Sequence, residues 1–585
     1  MAAVRRRLRA LFDAVHREAS LRRRHIGAAL PDHRRSAANL AHYLGLRKQR
    51  VRQLQLDLAA LGLSSLGRSE GHVHDALVRL GGWLGMRPQR GRRRAAAELD
   101  TTEAETQLHA NTRALFGPHP ADRHVYIMVT APDAAEVTPR WADKVLRAGA
   151  NLLRINAAHE SPEQWRHMVD VVRARATALG RSVRVFVDLP GPKLRAEIRR
   201  TQVPVLHFAR NKDRFGRTAG PTVLELVPKF TARPQVPVPA AWHGRLRAGD
   251  RLRLRDAGGR ARELVVRSSR APAVRAECMQ SLYIRPGLAV EWRRNGRRLG
   301  RGRIGAIPRE PCEVRLDRGD RFLLNESGRA RGSGGVPVLQ CPEPGVLRQI
   351  RRGERVVLDD GRIVAVAERV DARGVLCRVT QTARSPARLR SGKGLAFPDS
   401  HISLPALGPE DEAALAFAIA HADGVEASFV NSRRDVSRIV ARLQSQARPG
   451  FGLVLKLETQ GAIRNLPDIL FAVLRYRPAG LMIARGDLAV EASFEQLAEL
   501  QEEILGFGEA VHLPVIWATQ VLDSLAHTGV PTRSEMTDAA MSMRAECVML
   551  NKGPFVAEAT RMLARVIRDM EPRQYKKRAL FTKLR

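Results

Sequence analysis

A chain of 585 residues is too long for one hydrophobic core, so two to four domains are expected. A hydrophobic fraction of 44% and a charged fraction of 27% are those of a globular protein, and no apolar run reaches the roughly 18 residues that a membrane-spanning helix needs. The formal charge of +39 invites a nucleic-acid reading, but 88 of the 99 basic residues are arginines dispersed along the whole chain. A chain-wide bias of that kind suits small anions as well as nucleic acid, so dedicated nucleic-acid binding is not the expectation.

Residues 1–122 read as a helical, polar N-terminal extension. The basic start, MAAVRRRLRALFDAV, lacks the apolar core and cleavage site of a signal peptide. The stretch 36-SAANLAHYLGLRKQRVRQLQ has the pattern of a helix-turn-helix or, more commonly, of a helical hairpin packed on a neighbour. Five cysteines (Cys278, Cys312, Cys341, Cys377 and Cys547) are widely spaced with no CxxC pair. That spacing speaks against a disulfide framework or a zinc site and for a reducing, cytoplasmic location without membrane contact.

From 123 to 195, and again from 396 to 585, short β-branched runs alternate with amphipathic helical stretches. The runs are 125-VYIMVT, 151-NLLRIN, 183-VRVFVDL, 424-GVEASFV, 452-GLVLKLE, 480-GLMIAR, 513-LPVIWAT and 546-ECVML. Strand–helix alternation predicts a parallel sheet, and eight units predict an α/β fold of the (β/α)8 barrel type. An open doubly wound sheet fits less well, because no Gly-rich dinucleotide turn follows any strand. Between strands three and four, residues 196–395 alternate Val, Leu and Arg among Gly and Pro turns, which predicts an inserted all-β lid domain. A turn-plus-strand pattern recurs there as 248-AGDRLRL, 318-RGDRFLL and 352-RGERVVL, suggesting partial duplication.

Active sites of such barrels lie at the C-terminal ends of the strands. Strand two ends in Arg154, Ile155 and Asn156 with His159 just beyond. Strand three ends in Asp188 before 191-GPKLR, strand five in Lys456-Leu457-Glu458, strand six in Arg485-Gly486-Asp487 and strand seven in Thr519. Period-2 alternation puts Lys456 and Glu458 on one face. A divalent cation takes hard oxygen ligands, which Glu458 and Asp487 can supply, while Arg154 and Lys456 can neutralise a transferring phosphate. Gly486 lets backbone N–H groups approach a carboxylate. The Arg-Gly-Asp tripeptide follows a buried strand, which excludes an adhesion role.

At these residues the chain resembles the pyruvate kinase family. The resemblance rests on 154-RINAAHE, 187-VDLPGPKLR, 357-VLDDGRI, 397-FPDSHISLPALGPEDEAAL, 456-KLETQGAIRNLPDIL, 482-MIARGDLAVE and 514-PVIWATQVLDSLAHTGVPTRSEMTDAA. It implies a Mg²⁺- or Mn²⁺-dependent phosphotransferase with phosphoenolpyruvate, ADP, ATP and pyruvate as partners, and a homo-oligomer is compatible with it. Glu458 and Asp487 would bind the metal, and Lys456 would stabilise the phosphoryl group and the enolate. Thr519 would lie near the methylene carbon, and the backbone at Gly486 and Asp487 would hold the substrate carboxylate. Arg154, His159 and Arg195 would face the nucleotide phosphates. Asn156 and Asp188 would lie where the family binds a monovalent cation.

The departures from the family pattern are specific. Ala158 and Leu189 replace hydroxyl residues, and Lys193 replaces the usual Glu, where its ammonium would stand near Asp188 in place of the ion, so the resemblance implies that potassium is not required. Ala489 stands for a Gly, 551-NKGP replaces the usual loop after strand eight, and the large lid shows no clear nucleotide-side lysine. With the chain ending at Arg585, the family's C-terminal allosteric domain is expected to be absent. Two other functions fit parts of the pattern: a metal-enolate lyase acting on a 2-oxo acid, and a non-catalytic regulatory protein using the basic helical N-terminus.

Overall fold

The computed structural model describes residues 1–579 apart from 65, 87–97, 200, 213–216, 233, 270–273, 309, 312, 329–334, 493 and 577. Cys312 therefore lies outside the described residues; the other four cysteines are buried. Residues Met1–Leu194, Arg348–Val370 and Gly394–Arg585 form one compact unit, and Arg195–Leu347 with Asp371–Lys393 form a second. The segment 196–395, expected as one lid, is thus divided. Residues 348–370 stay with the barrel unit, where the Arg355 guanidinium is clamped on Asp399 at 2.7 Å.

The eight expected strands all form: β1 (Tyr126–Thr130), β2 (Leu152–Asn156), β3 (Arg184–Asp188), β4 (Gly424–Ala427), β5 (Gly452–Leu457), β6 (Ala479–Ala484), β7 (Val515–Ala518) and β8 (Cys547–Leu550). They close into a parallel barrel in chain order, β8 pairing with β1. Their continuous apolar runs follow from burial on both faces. One set of side chains, including Tyr126, Met128, Leu152, Phe186, Val454 and Met482, fills the interior. The alternate set packs outward against the helices. Helix starts are set by local chemistry: Ser161 and Gln164 form a capping box before Pro162–Ala178, and Thr532 and Glu535 form another before Arg533–Ser542.

The N-terminal residues are helical as expected, but they share one apolar core with the outside of the barrel. The stretch from 36 to 55 becomes two helices, Arg34–Arg47 and Arg52–Ala60, with Leu40, Leu44, Leu54 and Leu58 buried. Helix Thr101–Phe116 closes the bottom of the barrel, its Leu115 and Phe116 joining the interior cluster. A Cβ on Gly452 or Gly480 would stand 2.7 or 2.6 Å from a Leu115 methyl, so these two strand starts must be glycine to admit the plug. His512 ties the helices to the barrel. Its Nε2 lies 2.8 Å from the Gly71 carbonyl, to which it must donate, leaving Nδ1 to accept from the Ser36 hydroxyl at 2.9 Å.

The second unit is built from strands, as its alternating pattern predicts. Its larger sheet runs in the order Gln235–Pro237, Thr222–Val227, Val274–Cys278, Ala261–Ser268, Arg251–Arg255, Ala289–Arg294 and Arg297–Arg303. The recurring Gly-acid-Arg pattern is one turn made three times. Gly249, Gly319 and Gly353 have φ of 90°, 95° and 91°, the left-handed region that glycine enters without strain. Each donates its N–H to a facing strand, at Val266, Val379 and Ala367 respectively, at 2.9 Å in every copy. In each, the acid two residues before the repeated Leu, Phe or Val caps the turn's first N–H: Asp250 on Arg247, Asp320 on Asp317 and Glu354 on Arg351.

Candidate active site

Inward-facing positions at the ends of β2 to β5 carry charge where the lower layers carry apolar groups. In the barrel register Asn156 lies opposite Asp188, and Asp188 opposite Glu426. The result is a buried ionic cluster. Arg154 donates Nε–H to Glu426 at 3.0 Å and Nη1–H to the Thr130 hydroxyl at 3.2 Å, and its Nη2 is paired with Asp188. Lys456 Nζ lies 2.9 Å from Asp188, 2.7 Å from the Ser428 hydroxyl and 3.0 Å from Glu458. The other oxygen of Glu458 accepts the Phe429 N–H at 2.6 Å.

The protonation states follow from this crowding. Burial opposes the ionised form of Asp188, but Arg154 and Lys456 outweigh it and hold that carboxyl below its usual range. Burial opposes the charge on Lys456 too, yet Asp188 and Glu458 raise its pKa, so it stays an ammonium. Glu458 is pushed up by burial and by the nearby charge of Asp487, with Lys456 opposing. Glu426, fully buried, is pushed up by burial to about 7 against the pull of Arg154.

Around this cluster the remaining predicted residues take distinct places. Lys193 sits on Asp487 at 2.6 Å and within 3.8 Å of Asp360; among the described residues its ion pairs do not include Asp188. Thr519 follows β7 with φ of 67°, an outlier for a β-branched residue and the kind of strain that functional sites retain. Its hydroxyl oxygen accepts the Gly486 N–H at 2.9 Å, so that N–H is engaged by protein in this state. Arg485 locks the same corner by binding the Ala518 carbonyl at 3.1 Å and Asp538 at 2.8 Å, with its guanidinium 5.0 Å from the Trp517 ring centroid. Asn156 turns its side-chain oxygen back onto the Ala158 N–H at 3.0 Å. Arg195 falls in the second unit, where it donates to the Gly392 carbonyl at 2.9 Å.

Two cavities open among these groups. One of about 520 Å³ is lined by Lys193, Phe429, Thr459, Asp487 and Glu491. The other, of about 340 Å³, is lined by Arg154, Asn156, His159, Asp133, Asn551 and Lys552. Sequence reasoning did not single out Glu426, Ser428, Thr130 or Asp538. Glu426 and Ser428 had a visible signal, a charge and a hydroxyl at i and i+2 in an otherwise apolar strand. Lys552 lay in a loop noted only for its departure from the expected pattern, and Asp538 carried no signal.

A sequence profile for the pyruvate kinase barrel domain matches residues 295–558, the span that holds Lys456, Glu458, Asp487 and Thr519. The chain is 31% identical to human pyruvate kinase PKLR over 291 residues, 48% of this chain and 49% of that one. It is 30% identical to the pyruvate kinase of Thermococcus litoralis over 290 residues, 48% and 58% of the two chains. With the pyruvate kinase of Corynebacterium efficiens it shares 32% over 231 residues, 38% and 47%.

The matched stretch is thus similar to the barrel of pyruvate kinases. The chain spans about half the length of the curated relatives it matches. No described helix is long and apolar enough to cross a membrane.

Proposed function

We propose that the chain transfers a phosphoryl group from phosphoenolpyruvate to ADP, giving pyruvate and ATP, with Mg²⁺ or Mn²⁺ as cofactor. The observation that carries this reading is the juxtaposition of Arg154, Lys456, Asp188 and Glu458 at the end of a family barrel, with Asp487 beside them. Phosphoryl transfer asks for little covalent help from protein; it asks for position and for charge where the phosphoryl oxygens pass.

The residues fit a hard divalent cation. Glu458 and Asp487 are oxygen donors close enough for Asp487 to raise the pKa of Glu458. Two carboxylates are what an ion needs that takes one or two such ligands and completes its shell with water and substrate. Bound there, the ion would supply Lewis-acid stabilisation of charge on the phosphoryl and enolate oxygens.

The chain's own groups do the rest. Lys456, kept protonated by its neighbours, presents an ammonium to the phosphoryl group as the P–O bond to the enol breaks and a P–O bond to ADP forms. Arg154 turns its remaining N–H groups toward the phosphates in the smaller cavity, beside His159 and Lys552. The Thr519 hydroxyl accepts from Gly486 and so keeps its own proton to direct at the methylene carbon, where the enolate takes up H⁺ to become pyruvate.

The same reading extends to potassium. Both Asp188 oxygens are engaged, by Arg154 on one side and by Lys456 and Ser428 on the other, and Lys193 supplies a fixed cation at Asp487. We therefore propose turnover without a monovalent ion. The test is a coupled assay of pyruvate formation from phosphoenolpyruvate with each nucleoside diphosphate and MgCl₂. Pyruvate release that requires both ADP and Mg²⁺ is expected, and its absence with every diphosphate would reject the proposal.

A further inference from the structure

Glu426 is the one member of the ionic cluster that charge balance does not call for. Arg154 and Lys456 are already matched by Asp188 and Glu458, so Glu426 is a surplus acid. It is fully buried, and among the described residues its Oε1 has no hydrogen-bond partner. A buried carboxyl with one oxygen left unsatisfied carries a desolvation cost that its packing does not offset. Packing therefore does not account for an acid here.

Its geometry does. Glu426 Oε2 takes the Arg154 Nε–H at 3.0 Å, and Arg154 bonds Thr130 through Nη1 and Asp188 through Nη2. Three of the five guanidinium donors are thereby fixed, each on a different strand end, and two N–H bonds remain. The guanidinium lines the 340 Å³ cavity that also holds His159 and Lys552. Without Glu426 the Nε side has no anchor, and the angle of the fork is left to the bonds through Nη1 and Nη2 alone.

Resting on the phosphotransferase reading, we propose that Glu426 is a positioning residue: it sets the angle of the Arg154 fork so that its two remaining N–H groups meet a phosphate in that cavity. The ligand class is a nucleoside diphosphate or another diphosphate held by two parallel N–H···O bonds, a match that depends on angle as much as on charge.

Removing Glu426 also removes a negative charge, which by itself would favour an anion. The test must cancel that term, so it compares two uncharged variants of the full-length chain. Glu426→Gln keeps an oxygen for the Arg154 Nε–H; Glu426→Met keeps the volume and loses the acceptor. Binding of Mg–ADP and of inorganic pyrophosphate is measured by calorimetry, and stability by thermal unfolding. The Gln variant is expected to bind about tenfold more tightly than the Met variant, the scale of one hydrogen bond to a charged group. The two variants are expected to unfold at similar temperatures, because each leaves one buried polar group unpaired: the amide nitrogen of Gln, or the Arg154 Nε–H opposite Met. Affinity thus separates the variants while stability does not, whereas a merely structural role would make the two run together. Equal affinities, or tighter binding by the Met variant, would overturn the proposal while leaving the phosphotransferase reading intact. Failure of the wild-type chain to bind either probe would overturn both.

Discussion

Asp487 is the residue on which the metal assignment is most exposed to test, because Lys193 holds its Oδ1 and the residue lines the larger cavity. Asp487→Asn keeps the shape and removes the charge. Mn²⁺ affinity, followed by electron paramagnetic resonance, is expected to fall by at least tenfold and turnover by two or more orders of magnitude; unchanged Mn²⁺ affinity would contradict the assignment. Lys193 carries a second prediction. Wild-type turnover in potassium-free buffer, with an organic cation holding ionic strength, should match turnover with potassium present. Lys193→Glu should lose at least tenfold in kcat/KM, since it places a second acid against Asp487, and should regain part of it with added potassium. At this scale most of the site was legible, because Arg154, Asp188, Lys456, Glu458 and Thr519 sit at strand ends where barrels keep their chemistry. Which partner each would choose was not. The expected approach of Lys193 to Asp188 depended on the path of the 189–194 loop, and period-2 alternation says nothing about loops.

Among elements, the joint between the N-terminal helices and the barrel depends on histidines that must be neutral. Burial pushes the pKa of His512 down to about 4. Burial likewise takes His42 down to about 3, and the rings of His74 and His16, at 5.5 and 5.7 Å, press in the same direction. Each folded-state value lies below the unfolded value of about 6.5, so the unfolded chain binds the extra proton. Stability is therefore complete above about pH 6.5 and is lost as pH falls, by up to about 1.4 kcal/mol per unit for His512 down to about pH 4. Thermal unfolding at pH 7.5 and pH 5 should show a lower midpoint at pH 5. His512→Gln should be less stable at pH 7.5, by about 1–2 kcal/mol for its lost hydrogen bond to Gly71 or Ser36, yet show a shallower fall. Equal falls in the two proteins would count against the mechanism. The helices themselves could be read from their periodicity, and so could all eight strands. That Leu115 and Phe116 would plug the barrel could not, because the fit depends on Gly452 and Gly480, far away in sequence.

Over the whole molecule, the formal charge of +39 should draw anionic substrates to the protein at low salt. kcat/KM for phosphoenolpyruvate is expected to fall as ionic strength rises from about 0.02 to 0.3 M, with the Debye length shrinking below about 10 Å; a salt-independent value would show that the excess arginine plays no part in capture. The division into two compact units was only partly legible. The β texture of 196–395 was clear, but the return of 348–370 to the barrel unit rests on contacts such as Arg355 with Asp399 that no local pattern announces. In the proposed reaction phosphorus leaves phosphoenolpyruvate and arrives on ADP at this cluster. The most direct measurement follows ³¹P resonances with time in a mixture of purified protein, phosphoenolpyruvate, ADP and MgCl₂, beside an identical mixture containing Lys456→Met. Loss of the phosphoenolpyruvate signal with matching growth of the ATP γ-phosphate is expected in the first tube, and no change in the second. Inorganic phosphate in place of ATP, or equal rates in both tubes, would contradict the proposal.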